Sequence, residues 1–168
     1  MLLDIIIAIL IVLFIVFLWL IYTRIFGAEF YSTPKRVRRT MLNMLKLGKK
    51  DIFYDLGAGF GTVLLEAAPR VKQSIGFEID PLRFLIILIR LKSRKIKNVK
   101  MIYGNIFKSK LEPKSKIFVF LSKEANEKLG RKLRDELKEA VIVSYKWPVR
   151  GLKIVEKDNR HRIYRHKI

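Results

Sequence analysis

A turn carrying three glycines, Asp55-Leu-Gly-Ala-Gly-Phe-Gly61, separates the apolar run Ile52 to Leu56 from Thr62-Val-Leu-Leu-Glu-Ala-Ala68, whose composition favours a helix up to Pro69. Short apolar, aromatic-rich runs suit buried strands, so the glycines fall on a strand-to-helix turn. Gly57, Gly59 and Gly61 let the backbone bend tightly and admit a ligand where a Cβ would collide, and the helix that follows presents backbone N–H groups. The spacing is G-x-G-x-G, whereas turns that face a pyrophosphate use G-x-G-x-x-G. A cofactor without phosphates fits it better.

The next strand, Gln73-Ser-Ile-Gly-Phe77, ends in Glu78, 17 residues beyond Gly61. A carboxylate there accepts hydrogen bonds from both hydroxyls of a ribose. Asp80-Pro81 reads as an N-cap and first helical residue of a helix from Leu82 to about Arg94, which leaves Glu78 as the ligand candidate. A third strand, Val99 to Tyr103, closes on Gly104-Asn105, where the Asn105 amide can meet an adenine edge.

The remaining elements continue the alternation. Thr33 as N-cap and Pro34 at the first helical position open a helix to about Leu47, with Val37, Met41, Leu42, Met44 and Leu45 facing a core and Gly48 ending it. Lys116 to Leu121 reads as a fourth strand, Glu124 to Glu139 as a helix and Val141 to Ser144 as a fifth strand. Leu152 to Glu156 and Arg162 to His166 pair as a hairpin. The sum is an α/β fold, a mostly parallel sheet with one reversed strand, and ligands in such sheets bind at the carboxyl ends of the strands, where Asp55, Glu78 and Asn105 fall. The helix after Asp80 carries the apolar block Phe84 to Ile89, wider than an amphipathic stripe needs. Its extra face is expected to pack on the sheet or on the first helix, with resting on a membrane as the alternative.

From Ile5 to Tyr22 no side chain is charged, and at about 1.5 Å per residue the run makes a helix of about 27 Å, close to the thickness of a bilayer's hydrocarbon core. Only Asp4 precedes it, so a cleaved signal peptide lacks its basic leader. Arg24, Lys35, Arg36, Arg38 and Arg39 follow it, which by the positive-inside rule puts the domain in the cytoplasm. The expected organisation is a transmembrane anchor over 1–23 and one domain over 24–168.

Lysine and arginine outnumber acidic residues by 35 to 15, a net charge of +20. Such a field attracts anions, and the anionic surface of the membrane that holds the chain is the nearest source. Nucleic acid is the other candidate, although the basic residues are dispersed and form no single arginine-rich arm. The absence of cysteine excludes thiolate metal sites, and His161 and His166 lack acidic sequence neighbours and are expected at the surface; no metal site is expected. Walker, His-Glu-x-x-His and Gly-x-Ser-x-Gly motifs are missing, which removes the commoner nucleotidase and hydrolase readings.

The order Asp-x-Gly-x-Gly-x-Gly, acidic end of the second strand and Gly-Asn-x-Phe after the third resembles the S-adenosylmethionine-dependent class I methyltransferases. Tyr31-Ser-Thr-Pro34, Phe53-Tyr-Asp-Leu-Gly57, Phe118-Val-Phe-Leu-Ser-Lys-Glu-Ala-Asn126 and Val143-Ser144 are similar to one subgroup, the small archaeal and mitochondrial protein lysine methyltransferases. The resemblance runs from about Phe30 to Trp147. It implies a Rossmann-like methyltransferase sheet with an antiparallel C-terminal hairpin, S-adenosylmethionine as cofactor, and Thr33, Asp55, Gly57, Gly59, Gly61, Glu78 and Asn105 as its binding residues. The chain departs from the pattern in the turn, where Phe60 and Thr62 stand in place of an acidic residue and an arginine.

A lysine acceptor, with an unperturbed pKa near ~10.4, must lose its proton in an apolar pocket, and aromatic walls hold the cationic product. Tyr31, Phe120, Tyr145 and Trp147 lie near predicted strand ends, and Tyr31 and Trp147 are assigned to the acceptor channel. Phe120-Leu-Ser-Lys123 stands where adenine amino methyltransferases carry Asn-Pro-Pro-Tyr. Three readings stay open: a membrane-anchored protein lysine methyltransferase, including one that modifies its own lysines; a methyltransferase of RNA or a lipid amine; and a non-catalytic membrane protein that keeps the fold.

Overall fold

The computed structural model describes residues 1–26 and 32–168, so Tyr31 lies outside the described residues. Contacts divide the chain into two units, Met1–Tyr31 and Ser32–Ile168. The first holds α1 (Leu2–Phe26), whose stretch Leu2–Ile21 is long and apolar enough to cross a membrane and is not buried within the structure. Its only acidic residue, Asp4, pairs with the amino terminus at 2.7 Å.

The second unit alternates helices and strands: α2 (Lys35–Leu45), β1 (Ile52–Leu56), α3 (Thr62–Ala67), β2 (Gln73–Glu78), α4 (Pro81–Ser93), β3 (Val99–Tyr103), β4 (Ser115–Val119), α5 (Lys123–Glu136), β5 (Ala140–Tyr145), β6 (Lys153–Asp158) and β7 (Ile163–Lys167). Single turns of 3-10 helix follow α3 and β3. The strands form one sheet in the order β3-β2-β1-β4-β5-β7-β6. β1 to β5 are parallel, and β7 alone runs against its neighbours β5 and β6. The predicted reversed strand and terminal hairpin are both present.

The period-2 alternation of the strands splits the core into two layers. Phe53, Phe118 and Val143 face one side and pack with Val37, Met41 and Leu45 of α2, Leu64 of α3 and Ile87 of α4. Tyr54, Leu56, Ile117, Val119 and Ile142 face the other and pack with Leu129 and Leu133 of α5. Gly76 in β2 is required by this packing, since a Cβ there would lie 2.7 Å from Met101 Sδ and 2.8 Å from Leu64 Cδ2.

Several expectations need correction. Thr33 is not the cap of α2: Pro34 occupies that position, which carries no side-chain cap, and Lys46 rather than Gly48 takes the left-handed conformation that ends the helix. α5 starts at Lys123, capped by Ser122, whose hydroxyl accepts the Ala125 N–H at 3.2 Å. His166 is wholly buried rather than on the surface, because the segment after β5 folds back and buries Val149 and Leu152 over that end of the sheet. His166 Nε2 accepts the Val149 N–H at 3.3 Å and lies 3.2 Å from Ser144 Oγ, and burial lowers its pKa. His161 does have an acidic partner, Asp158, at 2.7 Å within the hairpin turn. The outer face of α4 is exposed rather than packed on the sheet, since among the described residues β3 is the edge strand.

Candidate functional site

Strand ends bring the acidic residues together. Parallel pairing sets Leu56 opposite Phe77 and Glu78 opposite Tyr103, so the carboxyl ends of β1, β2 and β3 lie side by side. All three glycines of the intervening turn have positive φ, 104° at Gly57, 58° at Gly59 and 72° at Gly61, a region other residues enter only with strain. The turn folds against β2 through bonds from the Gly57 and Ala58 N–H groups to the Phe77 carbonyl, at 3.1 and 2.7 Å. Gly57 is exposed and so open to close approach.

Behind the turn, a Cβ at Gly61 would meet Ile87 Cγ1 of α4 at 3.0 Å. Arg90 of the same helix donates to the Phe60 carbonyl. Phe60, one of the two departures from the family pattern, therefore contributes its backbone to a contact that fixes the turn. Neither Arg90 nor this contact carries a sequence signal.

Glu78 is buried at the end of β2. Its Oε2 accepts the Gly59 N–H at 2.7 Å, and its Oε1 accepts the N–H groups of Ile79 at 3.0 Å and Asp80 at 2.9 Å. Burial raises its pKa, and these backbone donors oppose the rise. Asp55, also buried, has its pKa pushed up to about 7 by burial first and by the charge of Glu78 second, while the Leu64 backbone opposes the rise. Asp80 behaves as the expected cap, with Oδ1 accepting the Arg83 N–H at 2.9 Å. Asn105 follows β3, where the Gly104 N–H donates to the Glu78 carbonyl at 3.0 Å. Its Oδ1 accepts the Phe107 N–H at 2.9 Å, which leaves the side-chain NH₂ as the donor for a base edge.

These residues fit an adenosyl cofactor. A carboxylate has about four acceptor positions, and Glu78 meets three backbone donors, which leaves room for one further donor such as a ribose hydroxyl. Ile79, missed in the sequence, is an exposed apolar side chain beside Glu78, suited to lie against a base. Its signal was its position directly after the acidic strand end. Thr33 is buried, and its carbonyl accepts from Arg38, whose Nη2 also pairs with Glu66 of α3 at 2.7 Å. The start of α2 is thereby held to the helix that leaves the turn.

Aromatic residues gather at the ends of β4 and β5. Phe120 and Tyr145 rings lie 4.7 Å apart at 58°, and the Lys146 ammonium sits 5.4 Å from the Phe120 centroid and 5.9 Å from that of Tyr145. Lys146 has a φ of 64°, which turns its side chain out of the strand's alternation. The next residue in the chain after Phe120 abuts the glycine turn, because a Cβ at Gly57 would lie 3.1 Å from Leu121 Cδ2. Trp147 stands farther along, with the Arg162 guanidinium 5.9 Å from its ring. The segment is held by α5, where Asn126 Nδ2 donates to the Trp147 carbonyl at 2.8 Å and Gly130 admits the Arg150 carbonyl.

Comparison with known proteins agrees with this geometry. Residues 55–156 match the family described as the ANTKMT methyltransferase domain. A protein-lysine N-methyltransferase of Saccharolobus islandicus is 30% identical over 149 residues, covering 83% of this chain and 92% of that protein. An RNA methyltransferase of Salinibacter ruber, solved with S-adenosyl-L-homocysteine, superposes with a TM-score of 0.74 at 24% identity, covering 82% of this chain and 94% of its own. A precorrin-6y C5,15-methyltransferase of Geobacter metallireducens superposes with a TM-score of 0.64 at 18% identity, covering 83% and 90%. These two show the fold alone, and it serves chemically unlike acceptors. With its buried acidic strand ends, glycine turn and sheet order, the chain belongs to the ANTKMT methyltransferase domain family and is an S-adenosylmethionine-dependent methyltransferase.

Proposed function

We propose that this chain is a membrane-anchored methyltransferase whose acceptors are lysine side chains of proteins, with residues 1–23 as the anchor and 24–168 as a domain facing the cytoplasm. The observation that carries the acceptor class is the Phe120–Tyr145 pair, which holds a lysine ammonium of this same chain over its rings beside the glycine turn. Aromatic faces serve both ends of the transfer: their apolar surface favours the neutral amine acceptor, and their π faces hold its methylated cationic product. Kinship with a protein-lysine N-methyltransferase supports the same acceptor. The anchor rests on α1 and on the basic residues that follow it.

When bound, S-adenosylmethionine supplies a methyl group made electrophilic by its sulfonium. In this reading Thr33, Asp55, Gly57, Gly59, Gly61, Glu78 and Asn105 hold the cofactor. Phe120 and Tyr145 join Trp147 in lining the acceptor channel, where they exclude water and favour the unprotonated amine by desolvation. The rest of the chemistry is alignment of that amine.

The test is transfer of a labelled methyl group into a membrane extract, partitioned between protein, RNA and lipid, with the enzyme's own mass followed in parallel. Label in lysine of proteins, the enzyme's own included, is the expected result. Label confined to RNA overturns the acceptor class and favours the reading that the charge of +20 supports.

A further inference from the structure

α4 buries only Ile87 and Leu91. Leu82, Leu85, Leu88 and Ile89 are 40%, 52%, 40% and 59% exposed, and Ile79 just before the helix is 38% exposed. Spacings of three and four residues put Leu82, Leu85, Leu88 and Ile89 on one face. Neighbouring charge is of one sign: from Pro81 to Leu111 there is no acidic residue, and Lys92, Arg94, Lys95 and Lys97, at and just beyond the end of the helix, are all exposed. An apolar helix face with a basic surround is the composition of a helix that lies in a membrane interface.

We infer that the outer face of α4 docks onto an anionic lipid surface and seats the cofactor end of the sheet against the bilayer. This rests on the proposed membrane anchor and adds a second contact to it. Leu82, Leu85, Leu88 and Ile89 enter the boundary between headgroups and acyl chains, while the neighbouring lysines and arginine meet lipid phosphates. A second copy of this chain is a poorer occupant, because docking through the same face brings two like-charged surrounds together. Nucleic acid makes no use of four exposed aliphatic side chains. Glu78 and the Asp80 cap immediately precede α4, so the docked helix presents the mouth of the site at the lipid surface. Acceptors are then lysines displayed at the membrane, which reconciles a strongly basic enzyme with a basic substrate.

The chain has no cysteine, so one introduced thiol can be labelled cleanly. Full-length Leu88→Cys and, on exposed α5, Lys128→Cys carry an environment-sensitive fluorophore in vesicles of phosphatidylcholine with or without phosphatidylglycerol, and brominated lipid serves as quencher. The expected result is several-fold stronger quenching at Leu88→Cys than at Lys128→Cys in the anionic vesicles. Adding Leu85→Glu with Ile89→Glu, both at exposed positions, should abolish it. If both labels stay in water while the chain still floats with the vesicles, the α4 contact is wrong and the anchor stands. A chain that fails to float overturns the anchor and this contact together, and equal shielding of both labels points to self-association and overturns it as well.

Discussion

The two halves of the sheet solve different problems with different means. On the β3-β2-β1 side, the candidate binding groups are main-chain donors and buried carboxylates, set by glycines at positive φ and held from behind by Ile87 and Arg90. On the β4-β5-β7 side, the surface at the strand ends is aromatic and cationic, and its turn is held by α5 through Asn126 and Gly130. The first half depends on backbone shape, which few substitutions can imitate. The second depends on side chains that a different acceptor would replace.

The sharpest way to break this division is Glu78→Ala. Three backbone donors and any ribose hydroxyl lose their acceptor, and charge-assisted bonds of about 1.5–3 kcal/mol each predict a loss of cofactor affinity of roughly 10²- to 10⁴-fold by calorimetry. Wild-type affinity in the variant would mean that Glu78 only organises the turn. On the other side, Gly130→Ala drives a Cβ to 2.0 Å from the Arg150 carbonyl, and backbone does not yield cheaply. It should cost about 3 kcal/mol in chemical denaturation.

Asp55→Asn separates the halves by pH. The folded pKa of about 7 stands above the ordinary carboxyl value, so the folded state keeps a proton that the unfolded chain has lost between about pH 4 and 7. That contribution is complete below the unfolded pKa and is lost as pH rises through the folded one. Asparagine removes the slope, so the variant should be more stable than wild type at pH 8 by up to about 4 kcal/mol and equal to it near pH 4. His166 on the other half works in the opposite sense, because its folded pKa is lowered and protonation favours the unfolded chain as pH falls below about 6.5. The smallest expected effect is Phe120→Ala, a loss of about 1 kcal/mol or roughly five-fold in kcat/KM for a lysine peptide. Cofactor affinity should not change; a matching loss of that affinity would merge the two halves into one site.

This contrast also explains what was legible in the sequence. The strand order, the reversed strand and the glycine turn follow from local patterns, period-2 runs and residues that tolerate positive φ, and these need no knowledge of distant partners. Phe120 and Tyr145 are far apart in the chain, and their meeting depends on β4 pairing with β5 and on the turn at Lys146. Burial of His166 depends likewise on where the segment holding Val149 and Leu152 comes to rest. Helical periodicity does not tell whether a helix covers the middle of a sheet or its edge, so the sequence leaves the extra apolar face of α4 between packing on the sheet and facing outward.

The clamp of Ile87, Leu121 and Arg90 around the glycine turn has a thermodynamic consequence. Glycines usually bring a large entropy of ordering to any loop that closes on a ligand. Here folding has already removed that freedom, so the turn is preorganised and its rigidity is charged to the stability of the domain instead of to the affinity for the cofactor. Mutations that loosen the back of the turn should therefore weaken binding without touching a single ligand-facing atom.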